Sequence, residues 1–145
     1  VKFIALTKET FDVVIIDSTD PVGPGEVLFT NKFYSNLSDI LSDKGIVIFQ
    51  GGVPFLQECQ FKRMNKNLKN NFKFHGFFFV SVPTYSGGMM ALGWASNAIE
   101  LNSIKKESIE QKVEKLSTDL IYYNANIHAS SFAMPESLKR KVTEV

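Results

Sequence analysis

Two carboxylates, Asp17 and Asp20, lie three residues apart in the segment DSTDPVGPG at positions 17–25. The two prolines and two glycines of this segment predict a stiff loop, which can hold both side chains toward one cleft. Two carboxylates without a neighbouring metal-ligand partner suit a cationic or basic ligand. The alternative is structural, with Asp17 capping the end of a strand and Asp20 capping the turn before Pro21.

Polar side chains also mark two other strand-like segments. Gln50 ends the apolar run GIVIFQ at 45–50, and Tyr85 lies in the turn TYSGG at 84–88. In open α/β sheets, ligands bind beyond the carboxyl ends of the strands. We therefore expect Asp17, Asp20, Gln50 and Tyr85 to converge on one rim of a sheet, which favours a ligand site over simple capping.

Four segments are predicted to be β-strands. The runs at 11–17 and 45–50 are apolar without alternation, which is typical of parallel strands that are buried on both faces. The segments at 74–82 and 89–96 are predicted to form an antiparallel pair, joined by a turn at 83–88. Each candidate ligand-binding residue thus lies at a strand end or in a loop that follows a strand.

Three helices are predicted between and after these strands. The first runs from about position 29 to Lys44, and the second runs from Pro54, which suits a first helical turn, to about Asn71. The third follows the last strand, and an aromatic tail at 122–135 comes after it. Its apolar face carries four residues: Ile109, Val113, Leu116 and Leu120.

The order strand–helix–strand–helix–hairpin predicts an α/β fold with two crossover units. It resembles the second half of a class I methyltransferase-like (Rossmann-like) doubly wound sheet, which ends in an antiparallel hairpin. Residues 1–145 would then be the C-terminal part of a catalytic domain, without its glycine-rich nucleotide loop and acidic ribose ligand. Val13 and Ile15 would lack a covering neighbour on one side. The alternative is a complete small α/β domain.

Charge and composition narrow the function classes. The 16 Lys and Arg residues nearly balance the 15 Asp and Glu residues, which argues against a nucleic-acid-binding surface or a polybasic membrane patch. No apolar run approaches the roughly 20 residues needed to cross a bilayer. The single cysteine, Cys59, cannot form an internal disulfide, so a cytoplasmic setting is expected. The two histidines lie far from it, without zinc-ligand spacing, so no metal site is predicted.

A longer motif contains both aspartates. The segment DVVIIDSTDPVGPGEVLF at 12–29 resembles the signature segment of the spermidine synthases, the polyamine aminopropyltransferases. Further segments resemble the same family, in the same order, along nearly the whole chain. They are FY at 33–34, GIVIFQ at 45–50, VPTY and GG within 82–88, and YYN at 122–124 with His128, Phe132 and Pro135.

The resemblance implies transfer of an aminopropyl group from decarboxylated S-adenosylmethionine, a co-substrate, to putrescine, giving spermidine and methylthioadenosine. It implies that Asp17 is the proton acceptor and that Pro24 lies in the adenine pocket. Six residues are implied to bind substrate, namely Asp17, Ser18, Thr19, Asp20, Gln50 and Tyr85; Asp20, Gln50 and Tyr85 match positions that contact the diamine. No true cofactor or metal is implied, and the full-length enzyme is expected to be a cytoplasmic homodimer or homotetramer.

Two other functions remain open. A putrescine N-methyltransferase of the same fold would use ordinary S-adenosylmethionine, and the residues that select this co-substrate would lie in the absent N-terminal half. A non-catalytic polyamine-binding homologue would need the anchor Asp20 but not the base Asp17, so the presence of both with Tyr85 argues against it. The isolated chain is expected to be inactive, because it lacks the nucleotide-binding half and the N-terminal strand domain.

Overall fold

The computed structural model describes residues 1–18 and 20–143. Its α-helices are α1 (Lys2–Leu6), α2 (Asn31–Asp39), α3 (Glu58–Asn71), α4 (Lys106–Val113), α5 (Ala125–Ser131) and α6 (Glu136–Thr143). Its strands are β1 (Phe11–Ile16), β2 (Leu41–Gln50), β3 (Phe74–Ser81) and β4 (Met89–Ser96). Two 3-10 helices span Gly23–Phe29 and Leu101–Ser103. Within the described ranges, no helix is long and apolar enough to span a bilayer.

The four strands form one sheet in the order β1-β2-β4-β3. β1 is parallel to β2, whereas β4 lies between β2 and β3 and is antiparallel to both. The chain passes from β1 to β2 through α2, and from β2 to the β3–β4 hairpin through α3. This arrangement confirms the predicted α/β architecture with its parallel pair and antiparallel ending.

The main core lies on one face of the sheet. Val47 and Phe49 of β2, and Phe77 and Phe79 of β3, are buried on this face. Helices α2, α3 and α6 cover these side chains with buried residues of their own: Phe33, Tyr34, Leu37, Phe61, Met64, Leu68 and Leu138. This packing holds the central strands in place, and with them the sheet edge at which Gln50 ends β2.

The opposite face of the sheet is only partly covered. Phe132, which follows α5, contacts the rings of Phe78 and Trp94 at centroid distances of 5.8 and 6.5 Å. On β1, at the edge of the sheet, Val13 is 59% exposed and Ile15 is 71% exposed. Their exposure agrees with the expectation that one side of the first strand lacks a cover in the described part of the chain.

The start of the second strand differs from the prediction. The predicted helix at 29–44 is too long, because β2 already begins at Leu41 rather than at position 45. Phe11 of β1 pairs with Leu41, and Ser42 Oγ donates a hydrogen bond of 2.6 Å to Asp12 Oδ1. Pairing with a strand distant in sequence therefore overrides the local helical periodicity.

The second predicted helix begins later than expected. Pro54 lies in a turn, and α3 starts only at Glu58. In this turn the backbone N–H groups of Leu56 and Gln57 both donate to Val53 O, at 3.0 and 2.8 Å. The turn is thus held by its own backbone hydrogen bonds and does not form the first turn of a regular helix.

The C-terminal region is more helical than predicted. The predicted third helix is α4, but it ends at Val113, before Leu116 and Leu120. The aromatic tail contains α5, and α6 follows it. Asn124 caps α5, because its side chain accepts a hydrogen bond of 2.9 Å from Ile127 N. Asparagine is a preferred N-cap residue, so Asn124 is a sequence signal for this helix that the prediction of an aromatic tail overlooks.

Candidate active site

The carboxyl ends of β1 and β2 and the β3–β4 turn meet at one edge of the sheet. A cleft of about 930 Å³ opens there. Its lining includes Asp17, Ser18, Asp20, Val22, Gln50, Gly52, Val53, Leu56, Gln57, Tyr85, Ser86 and Met90. Three separate segments therefore converge on one rim, as expected from the polar residues at the strand ends.

The cleft contains five of the six residues expected to bind substrate: Asp17, Ser18, Asp20, Gln50 and Tyr85. The sixth, Thr19, lies outside the described residues. Pro24, expected in an adenine pocket, is exposed in the 3-10 helix Gly23–Phe29 and does not line this cleft. The structure thus brings the amine-site candidates together, and the role of Pro24 stays a prediction.

Asp17 and Asp20 lie on the loop that leaves β1. Asp17 directly follows Ile16, the last residue of β1, and both aspartates are exposed. The backbone carbonyl of Asp20 accepts a hydrogen bond of 2.7 Å from Val22 N. The carboxylate oxygen Oδ1 of Asp20 accepts a second one, of 2.9 Å, from Gln57 Nε2. The carboxylate of Asp20 thus bonds a side chain from another segment of the chain, which the capping alternative does not predict.

Gln50 ends β2 and pairs with Leu92 of β4. Two backbone hydrogen bonds continue this pairing beyond the strand: Gly51 N donates to Ala91 O at 2.9 Å, and Ala91 N donates to Gly52 O at 2.8 Å. These bonds fix the direction of the chain after Gln50. The half-buried side chain of Gln50 lines the cleft at the point where β2 ends.

Tyr85 comes from the turn between β3 and β4, where Tyr85 N donates to Val82 O at 3.0 Å. The turn also needs a glycine at position 87. Gly87 has a φ of +97°, and a Cβ there would lie 2.9 Å from Leu56 Cδ1 and 3.1 Å from Val53 Cγ1. The turn that carries Tyr85 thus packs closely on the segment after β2.

Several cleft residues are not apparent from the sequence pattern. Val53, Leu56 and Met90 provide apolar surface, and Gln57 adds a polar side chain. Gln57 lies in the segment between the end of β2 and the start of α3. Because loops after the carboxyl ends of strands hold ligand sites in open α/β sheets, this position could have identified Gln57 as a site residue. Pro54 instead favours a helix over this segment, which hides Gln57 inside a regular element.

The charge of the cleft is negative. Its lining has two aspartates and, among the described residues, no Lys, Arg or His. Outside the cleft, burial lowers the pKa of His75 and of His128, and hydrogen bonds from Lys141 and Lys62 lower the pKa of Glu58. No group of three or more His, Cys, Asp or Glu in the described ranges could hold a metal ion. The cleft therefore suits an organic cation with an apolar portion.

Comparisons with known proteins agree with this geometry. The family model for the spermine/spermidine synthase domain matches residues 1–106. A polyamine aminopropyltransferase of Buchnera aphidicola is 42% identical over 142 residues, which cover 98% of this chain and 50% of the relative. A polyamine aminopropyltransferase of Salmonella paratyphi B is 41% identical over 138 residues, which cover 95% and 48%. The chain thus spans about half the length of the curated relatives that it matches.

Solved structures share the fold. A spermidine synthase in complex with the transition-state analogue AdoDATO has a TM-score of 0.87 and 31% identity, covering 99% of this chain and 48% of that one. A spermidine synthase from Thermotoga maritima has a TM-score of 0.84 and 30% identity, covering 99% and 47%. These similarities confirm the methyltransferase-like α/β fold expected from the sequence. The matched domain model and the similar relatives show that the chain belongs to the spermine/spermidine synthase family.

Proposed function

We propose that the chain carries the acceptor-amine part of an aminopropyltransferase site, in which putrescine receives an aminopropyl group from decarboxylated S-adenosylmethionine. The observation that supports this most is that Asp17 and Asp20 line one cleft without a described cation. Relatives named polyamine aminopropyltransferase support the same reaction class. The products are spermidine and methylthioadenosine.

The attacking amine of putrescine must be neutral, whereas an alkylammonium has a pKa of about 10.4. The amine nitrogen attacks the carbon beside the sulfonium in line with the leaving group, so that an N–C bond forms as a C–S bond breaks. Methylthioadenosine leaves with the electron pair. Asp17 accepts the proton that the nitrogen loses, and the Tyr85 hydroxyl helps to direct the lone pair. Because aspartate is a weak base, positioning and charge stabilisation contribute more than proton transfer.

The other end of the acceptor binds Asp20. The distal ammonium of putrescine forms an ion pair with this carboxylate, so the spacing between Asp20 and Asp17 measures the length of the acceptor. Val53 and Met90 line the cleft and cover the methylene chain, while Gln50 offers a neutral hydrogen-bond acceptor.

We further propose that polypeptide outside these 145 residues completes the adenosyl site. Support comes from the half-length coverage of the relatives and from the exposed apolar side chains of Val13 and Ile15. The ribose contacts belong to that polypeptide, and Pro24 adds a wall of the adenine pocket. The isolated chain is then inactive, and the full-length enzyme is a cytoplasmic homo-oligomer.

The test is an assay of the full-length protein with decarboxylated S-adenosylmethionine and putrescine, in which both products are quantified by mass spectrometry. Equimolar spermidine and methylthioadenosine, lost in an Asp17→Asn variant, are expected. A parallel reaction with S-adenosylmethionine distinguishes the N-methyltransferase, whose product is N-methylputrescine. Putrescine binding in calorimetry without either product would instead favour a non-catalytic polyamine-binding protein.

A further inference from the structure

Gln57, the residue just before α3, uses both ends of its side-chain amide. Its Nε2 donates a hydrogen bond of 2.9 Å to Asp20 Oδ1, and its Oε1 accepts one of 2.8 Å from Val53 N. The reverse orientation would place the amide oxygen against a carboxylate and the NH2 group against an N–H donor, and both contacts would be repulsive. The backbone N–H of Val53 therefore orients the amide so that its NH2 group meets Asp20.

The surrounding backbone holds Gln57 in this position. Gly52 has a φ of +73°, and a Cβ there would lie 2.3 Å from Gln57 Oε1, so glycine leaves the space that the amide occupies. Gln57 N donates to Val53 O at 2.8 Å, and Phe61 N donates to Gln57 O at 3.0 Å. The side chain is thus fixed both at its base and at its acceptor end.

Asp20, in contrast, lies on an exposed loop. Among the residues that the structure describes, Gln57 alone donates a side-chain hydrogen bond to its carboxylate. That bond engages Oδ1 and leaves Oδ2 for a ligand in the cleft. A carboxylate that is oriented before the ligand arrives loses less conformational freedom on binding, so the hydrogen bond from Gln57 strengthens the binding of a cation.

We propose that Gln57 is a positioning residue, which orients Asp20 for the distal ammonium of the diamine. This inference rests on the proposed function, because it assigns Asp20 the role of anchor. Gln57 acts at the end of the acceptor that does not react. Its loss should therefore weaken acceptor binding and raise KM, while the rate at saturation changes little.

The variant Gln57→Met removes both amide hydrogen bonds with a side chain of similar length. In steady-state kinetics of the full-length enzyme, we expect the KM for putrescine to rise about 5- to 50-fold, with kcat within about threefold of wild type. Gln60→Met is the matched control, because Gln60 lies in the first turn of α3, three residues after Gln57, but does not line the cleft. This control should keep the putrescine KM within about twofold of wild type.

A double-mutant cycle separates positioning from a general structural role. If Gln57 acts through Asp20, then Gln57→Met should change the putrescine KM of an Asp20→Ala variant by less than about twofold. Equal effects in both backgrounds would overturn the inference. If Gln57→Met fails to fold in a thermal melt, Gln57→Asn replaces it, because its amide is one methylene too short to reach both partners.

The kinetic outcomes also separate this inference from the proposed function. If wild type forms spermidine but Gln57→Met keeps the wild-type KM for putrescine, the positioning role is wrong and the proposed function stands. If wild type forms no spermidine, the proposed function is wrong, and the positioning role is overturned with it.

Discussion

Ile15→Thr tests whether further polypeptide covers the free face of β1. Ile15 is 71% exposed in the structure of these residues. Complete burial of an isoleucine side chain contributes about 1.5–3 kcal/mol to stability, so covering the exposed part of Ile15 would contribute about 1–2 kcal/mol. Threonine is also β-branched and suits a strand, so the substitution removes apolar surface without disfavouring the strand itself. We therefore expect the full-length protein to lose about 1–2 kcal/mol of unfolding free energy.

The assay is urea unfolding of the full-length protein, monitored by circular dichroism. Wild type and variant are compared with a common m-value, the slope of unfolding free energy against urea concentration. Val47→Thr in the neighbouring strand is the control, because Val47 is fully buried and the substitution must destabilise the protein in any case. If the 145-residue chain folds alone, Ile15→Thr should cost it less than about 0.5 kcal/mol, since the side chain is exposed there.

A loss below about 0.5 kcal/mol in the full-length protein, with Val47→Thr destabilising as expected, would refute the reasoning. The face that carries Ile15 would then be exposed in the whole enzyme. The isolated chain supplies a second refutation. The 145 residues form a complete domain if sedimentation shows a single monomeric species, and if calorimetry shows that this species melts cooperatively and binds decarboxylated S-adenosylmethionine tightly.

Three further predictions concern single side chains. Asp17→Asn should lower the kcat of the full-length enzyme by a factor of about 10² to 10⁴, the range for a positioned acid–base group. The affinity for decarboxylated S-adenosylmethionine, measured by calorimetry, should not change. A kcat within about twofold of wild type would contradict this role. Asp20→Asn should raise the KM for putrescine more than the KM for a monoamine of similar length, because the monoamine has no distal ammonium. An equal rise in KM for the two acceptors in steady-state kinetics would contradict the anchoring role. Burial lowers the pKa of His128, so the folded state favours the neutral imidazole and loses stability as the pH falls below about 6.5, the ordinary pKa of histidine. His128→Gln should weaken this acid dependence in urea unfolding, and an unchanged dependence would show that His128 does not cause it.

The strands and the position of the cleft could be predicted because their signals are local. Apolar runs without alternation indicate strands, and β1 and β2 carry such runs, although one face of β1 is exposed in the described structure. Asp17 and Gln50 stand at the ends of these runs. Parallel strands bring their carboxyl ends to one edge, so the convergence of Asp17, Gln50 and the hairpin turn follows from the order of the elements.

The contact between Gln57 and Asp20 could not be predicted in the same way. The two residues are 37 positions apart, and their contact depends on a turn that is not helical. Pro54 fits such a turn as well as the start of a helix, and the close approach of Leu56 to the hairpin turn favours the former. Short helices such as α6 depend on tertiary packing too, as the fully buried Leu138 shows.

Gln50 and Tyr85 on one side of the cleft, and Asp17 on the other, are held by strands with different numbers of described neighbours. Gln50 and Tyr85 belong to strands and turns next to β4, which has paired strands on both sides. β1, which leads into Asp17, pairs only with β2 among the described strands, and its side chain at Ile15 is largely exposed. Since Asp17 directly follows this strand, its placement depends on whatever covers the free edge of β1. We therefore expect Gln50, Tyr85 and Gln57 to reach their positions from the packing of these residues alone, and the loop that carries Asp17 and Asp20 to reach its working position only when that edge is covered.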